Sequence, residues 1–580
     1  MKKSLVIALS LALVICVFTG CGGKTTEPEV TPTPTPEVVA TPAPTATPEP
    51  QSFSSVLNSH AVNFATAADE TTVYNALSAA WTAEEERIAY GGEGTQPFVP
   101  EDGALTLSAD GAASYEAVGT PVSDGERIYM LSGTTLRILR ADGSNTTQLN
   151  AMEVGSSWSD TQEGKETTWG GFEKYPTNLY LAEGKLIVLS NWYGYEAYMQ
   201  DNVNVCDYTE YTCVDIYDLT DPVSPVLTAS FGQDGSCTGV DVADGMLYLA
   251  TEYAIYKDAD AGDSSDFLPA FYTNGVPRVL EASKVILADD AVNSVYGMVG
   301  VYDLSTASCA DVKAVLGANG DVVMAAPCVY LTAENYALGD SVNYRDNIYD
   351  VTEYASVACT DVYRMEWTGS ALEMKNSASV AGHLSGERAV AMVGDTIHLA
   401  TREENFRYTL YVDAERGFEN ILWGSVEQGD SMAALTAQLQ PSAGEKANVF
   451  RGYLYNWTEG NYVGLSRDAG GALKLALYSA SLQEITSKTF GNDYSKTLSS
   501  SEAIYVNGEK NVIGFAADDG YSFYRYEEEN GFTSIFDAYI TDWPWHVRCI
   551  AVGDNLYMTD RTTVYIYSLT DMTLVHTLTL

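Results

Sequence analysis

One short phrase recurs along this chain, and it limits the available folds more than any other feature. It reads SDGERIYMLS from Ser123, AEGKLIVLS from Ala182, VADGMLYLAT from Val242 and AAPCVYLTA from Ala325. It returns as MVGDTIHLAT from Met392, TEGNYVGLS from Thr458, VNGEKNVIGFA from Val506 and AVGDNLYMTD from Ala551. In each case a tight turn leads into a run whose apolar side chains alternate, the period of a strand. A second phrase usually follows: VDIYDLTD from Val214, VGVYDLST from Val299, TDVYRMEW from Thr360, LALYSASL from Leu475 and VYIYSLTD from Val564. A fourth run such as VLTASFG, Val226 to Gly232, completes the unit.

Strand, turn, strand, loop, strand, turn, strand makes one four-stranded antiparallel sheet. Recurrence at roughly 40–50 residues or more is the pattern of a β-propeller, in which each blade buries its faces only against its neighbours. The phrases predict an all-β fold of eight blades between residues 114 and 580. Seven is the alternative, because the stretch from Ser431 to Val449 reads poorly. A row of β-sandwiches gives no reason for one phrase to repeat so regularly.

The run VDIYDLTDPVSPVLTASFGQDGS, Val214 to Ser236, resembles the secreted bacterial and archaeal β-propeller family that is distantly related to WD-repeat proteins. The runs VGVYDLSTASCADVKAVLGANGDVVM and DGERIYMLSGTTLRIL resemble it too. The resemblance is best from about Asp124 to Met365 and weakens after Arg388. Where that family carries an acidic phrase before its first blade, this chain has only SYEAVGTPVSDG. The resemblance implies an exported, often anchored propeller and brings no catalytic residues.

The N-terminus supplies an address. MKKSLVIALSLALVICVFTG has two lysines and then an apolar run, the outline of a secretory signal over residues 1–20. It ends in FTGC, Phe18 to Cys21, which resembles the lipobox of bacterial lipoproteins. That resemblance implies a diacylglycerol on Cys21 and an anchor on the extracytoplasmic face of the cell membrane. Residues 21–51 then form a tether rich in proline, threonine and glutamate, with no apolar face to bury. Residues 52–113 read as mainly helical: VYNALSAAW, Val73 to Trp81, follows Asp69 and Glu70, acids suited to a helix start.

Acids outnumber bases 78 to 31, a formal charge of −47. That balance argues against nucleic acid and against electrostatic docking on anionic lipid.

Chemistry is harder to find. The histidines His60, His383, His398, His546 and His576 show no metal-site spacing. Gly235-Ser236-Cys237-Thr238-Gly239 has the outline of a nucleophile elbow, but it lies between two strands rather than between a strand and a helix. Asp boxes and regular tryptophan docking motifs are absent. Asp258, Asp260, Asp263 and Asp266 form an oxygen-rich loop to which calcium is suited, although the EF-hand order fails and a solvated acidic loop is the plainer reading. Cys206 with Cys213, and Cys309 with Cys328, are candidate disulfides in an exported domain.

The connections between second and third strands are unequal. They are SGTT in the first blade and TDRTT in the eighth, but NWYGYEAYMQDNVNVCDYTEY, Asn191 to Tyr211, in the second. The third runs from about Glu252 to Tyr296 and the fourth from Glu334 to Ala358. All emerge on one side of a propeller, so they predict a loop-built binding face over blades 2–4. Trp192, Tyr193, Tyr195, Tyr198, Tyr208 and Tyr211 are its candidate ligand-binding residues, for a protein or a glycan. Fold alone does not separate such a binding module from a scaffold for exported proteins or a polysaccharide hydrolase.

Overall fold

The computed structural model describes residues 51–90 and 120–580, apart from 161–168, 201–202, 258, 289–290, 292, 347–348, 385–389, 394–395, 403–404, 414–420, 429–432, 439–441, 447–451, 459, 468–471, 481–482, 492–496, 500–502, 518–519, 540–545 and 561. Within strands and helices, some further side chains are also outside the description.

Each recurring phrase is the turn and second strand of one antiparallel sheet. Blade 1 is Val122–Ser123, Arg127–Ser132, Thr135–Arg140 and Thr147–Glu153. Blade 2 is Trp169–Ala182, Lys185–Gln200, Val203–Asp218 and Val226–Asp234. Blade 3 is Ser236–Ala243, Met246–Ala254, Val295–Asp303 and Ser308–Leu316. Blade 4 is Val322–Ala325, Cys328–Leu338, Tyr349–Trp367 and Leu372–Ala381. Blade 5 takes Val390–Val393, Thr396–Arg402, Ala433–Gln438 and Ser442–Lys446. Blades 6, 7 and 8 follow as four-stranded sheets over Gly452–Thr489, Tyr505–Tyr539 and Arg548–Thr579. Among the described residues there are eight blades, not seven.

The turn chemistry explains why the phrase recurs. Asp244 and Gly245 have φ of 51° and 74°, and Glu183 and Gly184 have 51° and 70°. Two successive positive φ values make the turn whose twist matches a hairpin, and glycine takes the second at no steric cost.

Alternation then sends each strand's side chains to two neighbours. In blade 2, Leu186 and Val188 pack with Leu136 and Ile138 of blade 1. Ile187 and Leu189, one residue out of step, pack with Val240, Leu247 and Leu249 of blade 3. Every blade is continuous in sequence, so no strand is shared between the first and the last. Instead the ring closes on side chains: Ile128, Met130 and Leu139 of blade 1 meet Val552, Tyr557, Val564 and Ile566 of blade 8.

The N-terminal segment fastens to blades 3 and 4. Helix α1, Phe53–Ser59, places Val56 against Ala337, Ala355, Val357 and Cys359 of blade 4. Phe64–Thr66 pairs with Val285–Ala288, which itself lies parallel to the outer strand of blade 3. Helix α2, Glu70–Tyr90, buries Val73, Leu77 and Trp81 against Phe267, Leu280 and Met298. No helix among the described residues is long and apolar enough to cross a membrane.

The long connections are largely strands rather than loops. Asn191 to Tyr211 continues the second and third strands of blade 2 as one hairpin, in register from Lys185 opposite Asp218 to Gln200 opposite Val203. The blade 3 connection contains a hairpin, Ala270–Thr273 with Val276–Val279, that adds to the outer strand of blade 2. In blade 4, Val342–Asp346 pairs with the early part of Tyr349–Trp367. Blade 5 extends as well, which the sequence reading missed: Asn405–Asp413 and Ile421–Gln428 form a hairpin laid on that same blade 4 strand. The aromatic alternation that looked like a decorated loop is a strand pattern prolonged beyond the blade.

Candidate functional site

Blade 1 turns at Gly133 and Thr134, while its neighbour runs on. The side of blade 2 that faces blade 1 therefore continues past the end of blade 1 toward the long-connection face. Four rings stand there in a row, Phe172, Trp192 and Tyr211 on three adjacent strands and Tyr272 one strand further, beyond Val226–Asp234. Their centroids are 5.9, 4.7 and 4.2 Å apart, with planes inclined by only 14°, 24° and 16°.

Sequence spacing makes this column. Trp192 and Tyr211 are direct partners across the ladder, while Phe172 faces Gly194 and Tyr272 faces Gly232. The glycines make room: a Cβ on Gly194 would lie 2.4 Å from the Trp192 ring, and one on Gly232 would lie 3.0 Å from the Tyr211 ring. Sheltering a strand glycine under a neighbouring ring keeps the sheet covered where a side chain is missing. At the outer end the Tyr272 hydroxyl donates to Asp234 Oδ1 at 2.7 Å, and the Ala270 N–H donates to Oδ2 at 2.6 Å. Burial nevertheless pushes the Asp234 carboxyl up to about 6.

Below the column on the same face lie Cys213 and Asp215, two and four residues past Tyr211 on one strand. Lys174 Nζ donates to Asp215 Oδ2. Asp215 Oδ1 accepts from the Cys213 thiol at 3.6 Å. Burial pushes the Cys213 thiol up to about 11. Burial opposes the charge of Lys174, but Cys213 and Asp215 outweigh it and hold its pKa above the ordinary value.

The six aromatic candidates divide. Trp192 and Tyr211 enter the column, where most of each ring face is taken by a neighbour. Tyr193 sits on the opposite side of the sheet, 44% exposed, with Asn191 Nδ2 3.4 Å from its hydroxyl. Tyr195 and Tyr208 are register partners further along the hairpin, and Tyr198 follows on the same strand as Tyr195. The side chains of Tyr195, Tyr198 and Tyr208 lie outside the described residues, as does Cys21.

Neither candidate disulfide forms, since Cys213, Cys309 and Cys328 are free thiols. The DYTEYT stretch is strand, not loop, so Cys206 and Cys213 are separated along it by roughly 20 Å, far beyond bridging distance. Cys237, in the apparent elbow, is half-buried, and desolvation pushes its thiol up to about 12, which argues against a nucleophile.

Asp258 lies outside the described residues. Asp260 Oδ1 accepts from the Gly262 N–H, Asp263 Oδ1 from the Ser265 N–H and Asp266 Oδ2 from the Asp260 N–H, at 2.8, 3.0 and 3.2 Å. These carboxylates shape their own loop. Among the described residues, the side chains that converge at metal-binding distance are instead His60, Cys359 and Asp361. His60 follows α1, and its Nε2 lies 3.2 Å from Asp361 Oδ1, with side-chain exposures of 6% and 2%. Asn335 Nδ2 donates to the other Asp361 oxygen at 3.1 Å. The hydrogen bonds to Asp361 and Cys359 lift the His60 pKa to about 10, against the opposing effect of burial. Sequence spacing held no sign of this cluster.

The eight blades and their phrases define a β-propeller. A family model described as the beta propeller domain matches residues 122–442, and the chain belongs to that family. No curated protein matches it. Among solved structures it is similar to a functionally unknown protein from Desulfotomaculum acetoxidans, at 8% identity and a TM-score of 0.28, covering 71% of this chain and 93% of that one. It is also similar to the WD40 domain of Toxoplasma gondii coronin, at 9% identity and a TM-score of 0.25, covering 70% and 83%. Likenesses at this level carry no argument about activity. The fold supports an interaction or scaffold role.

Proposed function

We propose that this protein is a lipid-anchored interaction module of the extracytoplasmic face, held by diacylglycerol on Cys21, that meets a protein or glycan ligand through the extended face of blades 2–5. The observation that supports this most is the unequal height of the blades. Among the described residues, blades 2 to 5 add hairpins on one side, while the opposite side has tight turns. A rigid scaffold with long segments gathered on one face is the usual arrangement for recognition. The aromatic content of the blade 2 hairpin suits such a surface, because tyrosine and tryptophan give contact area at low entropy cost.

Photo-crosslinking in producing cells tests this reading. A crosslinker at Tyr193, on the extended face, is expected to capture a partner. One at Leu574, 55% exposed at the tight-turn side of blade 8, is expected to capture none. Equal capture at both positions, or capture only at Leu574, overturns the assignment of the face.

A further inference from the structure

We propose that His60, Cys359 and Asp361 form a binding site for one zinc-class divalent ion, which clamps the N-terminal segment to blade 4. The three ligand-type atoms lie within 4.8 Å of one another, with Cys359 fully buried. Imidazole, thiolate and carboxylate are the nitrogen, sulfur and oxygen donors that borderline-soft metals accept, and three protein ligands with one open position is a recurring zinc arrangement. Bonds of about 2.0–2.1 Å to nitrogen and oxygen give a tetrahedral edge of about 3.3 Å. The His60 Nε2 to Asp361 Oδ1 separation of 3.2 Å is already close to that edge.

The surroundings fit an ion. Asn335 Nδ2 donates to Asp361 Oδ2, which lies 3.4 Å from His60 Nε2 against 3.2 Å for Oδ1, and so holds the carboxylate in place, the supporting contact a ligating carboxylate usually has. Ser379 is the register partner of Asp361, and its buried hydroxyl has no hydrogen-bond partner among the described residues. A water in the fourth coordination position would give it one. Charge also balances: the dication offsets one thiolate and one carboxylate, with His60 neutral. Ion binding therefore releases protons to solvent and leaves no net buried charge.

Blade 2 carries the same pair with a different partner. CVDIY from Cys213 and CTDVY from Cys359 carry the same Cys-x-Asp order on the third strand of their blades. In blade 2 a lysine of that same blade, Lys174, neutralises the aspartate. In blade 4 the partner arrives from outside the propeller, on the connection that follows α1. An ion held there joins two parts of the chain that are otherwise tied by packing and a few hydrogen bonds.

The test uses the purified full chain, stripped with EDTA under reducing conditions and titrated with Co2+. One equivalent is expected to give the thiolate-to-cobalt charge-transfer band and the visible bands of four-coordinate cobalt, and Zn2+ is expected to abolish both. Cys359→Ser should remove the charge-transfer band, and Cys213→Ser should leave it unchanged. His60→Ala, which alters only the peripheral segment, should weaken cobalt binding by at least about tenfold. Absence of the band in folded protein with excess Co2+ overturns the proposal. So does a band that survives Cys359→Ser, or affinity unchanged by His60→Ala.

Discussion

Lys174→Met should destabilise this protein far more than loss of an ordinary surface lysine. The reason is Asp215, whose side chain is 3% exposed while that of Lys174 is 16% exposed. With the ammonium gone, Asp215 keeps only the weak Cys213 thiol and its neighbours, in a place water hardly reaches. Breaking a buried pair by removing one partner costs about 3–5 kcal/mol, because the remaining charge is uncompensated. Asp215→Asn should cost less, about 1–2 kcal/mol, since the lysine stem can turn its head to solvent. The double variant removes both charges and should lose only about 1 kcal/mol. The coupling energy is then about 3 kcal/mol or more, well beyond the spread expected for independent sites. Urea unfolding followed by tryptophan fluorescence measures it, provided the slopes agree among variants. Added salt should barely change the coupling, because the pair is shielded from counterions. A cost below about 1 kcal/mol for Lys174→Met, or additive single variants, would show that the pair is not the buried unit described.

Other consequences can be measured separately. The folded-state pKa of Asp234, about 6, lies above its ordinary 3.8, so its stabilising contribution is complete below the lower value and lost as pH rises through the higher. The loss amounts to about 3 kcal/mol, and Asp234→Asn should remove it, visible as a flatter melting temperature between pH 4 and 7 than in the parent. Gly300→Ala would place a Cβ 1.9 Å from Gln233 Oε1, which accepts from the Tyr302 hydroxyl at 3.0 Å. Displacing that buried amide should cost about 2–4 kcal/mol, and an unchanged urea midpoint would contradict it. Cys21→Ser should abolish incorporation of labelled fatty acid and release the protein from the membrane fraction, and retained label would end the lipid assignment.

The sequence by itself determined the blade. Turns such as Asp244-Gly245 and the alternation that follows them are local: a hairpin needs only two adjacent strands and a residue tolerant of positive φ between them. Eight copies of that local instruction set the number of blades, and neighbouring blades then had to bury the alternate faces. Trp192 and Tyr211 are legible as aromatic candidates from the sequence alone. Tertiary structure decided what those residues do. Whether NWYGYEAYMQ is loop or strand depends on Val203–Asp218 pairing with it, and the ring column depends on Gly194 and Gly232 arriving opposite Phe172 and Tyr272. The blade 5 hairpin is visible only against a strand of blade 4. His60 and Asp361 are 301 residues apart, and no periodicity links them. Hydrogen-bonded turns and alternation are encoded by neighbours in the chain, whereas a cluster of polar side chains is made by whichever surfaces packing brings together.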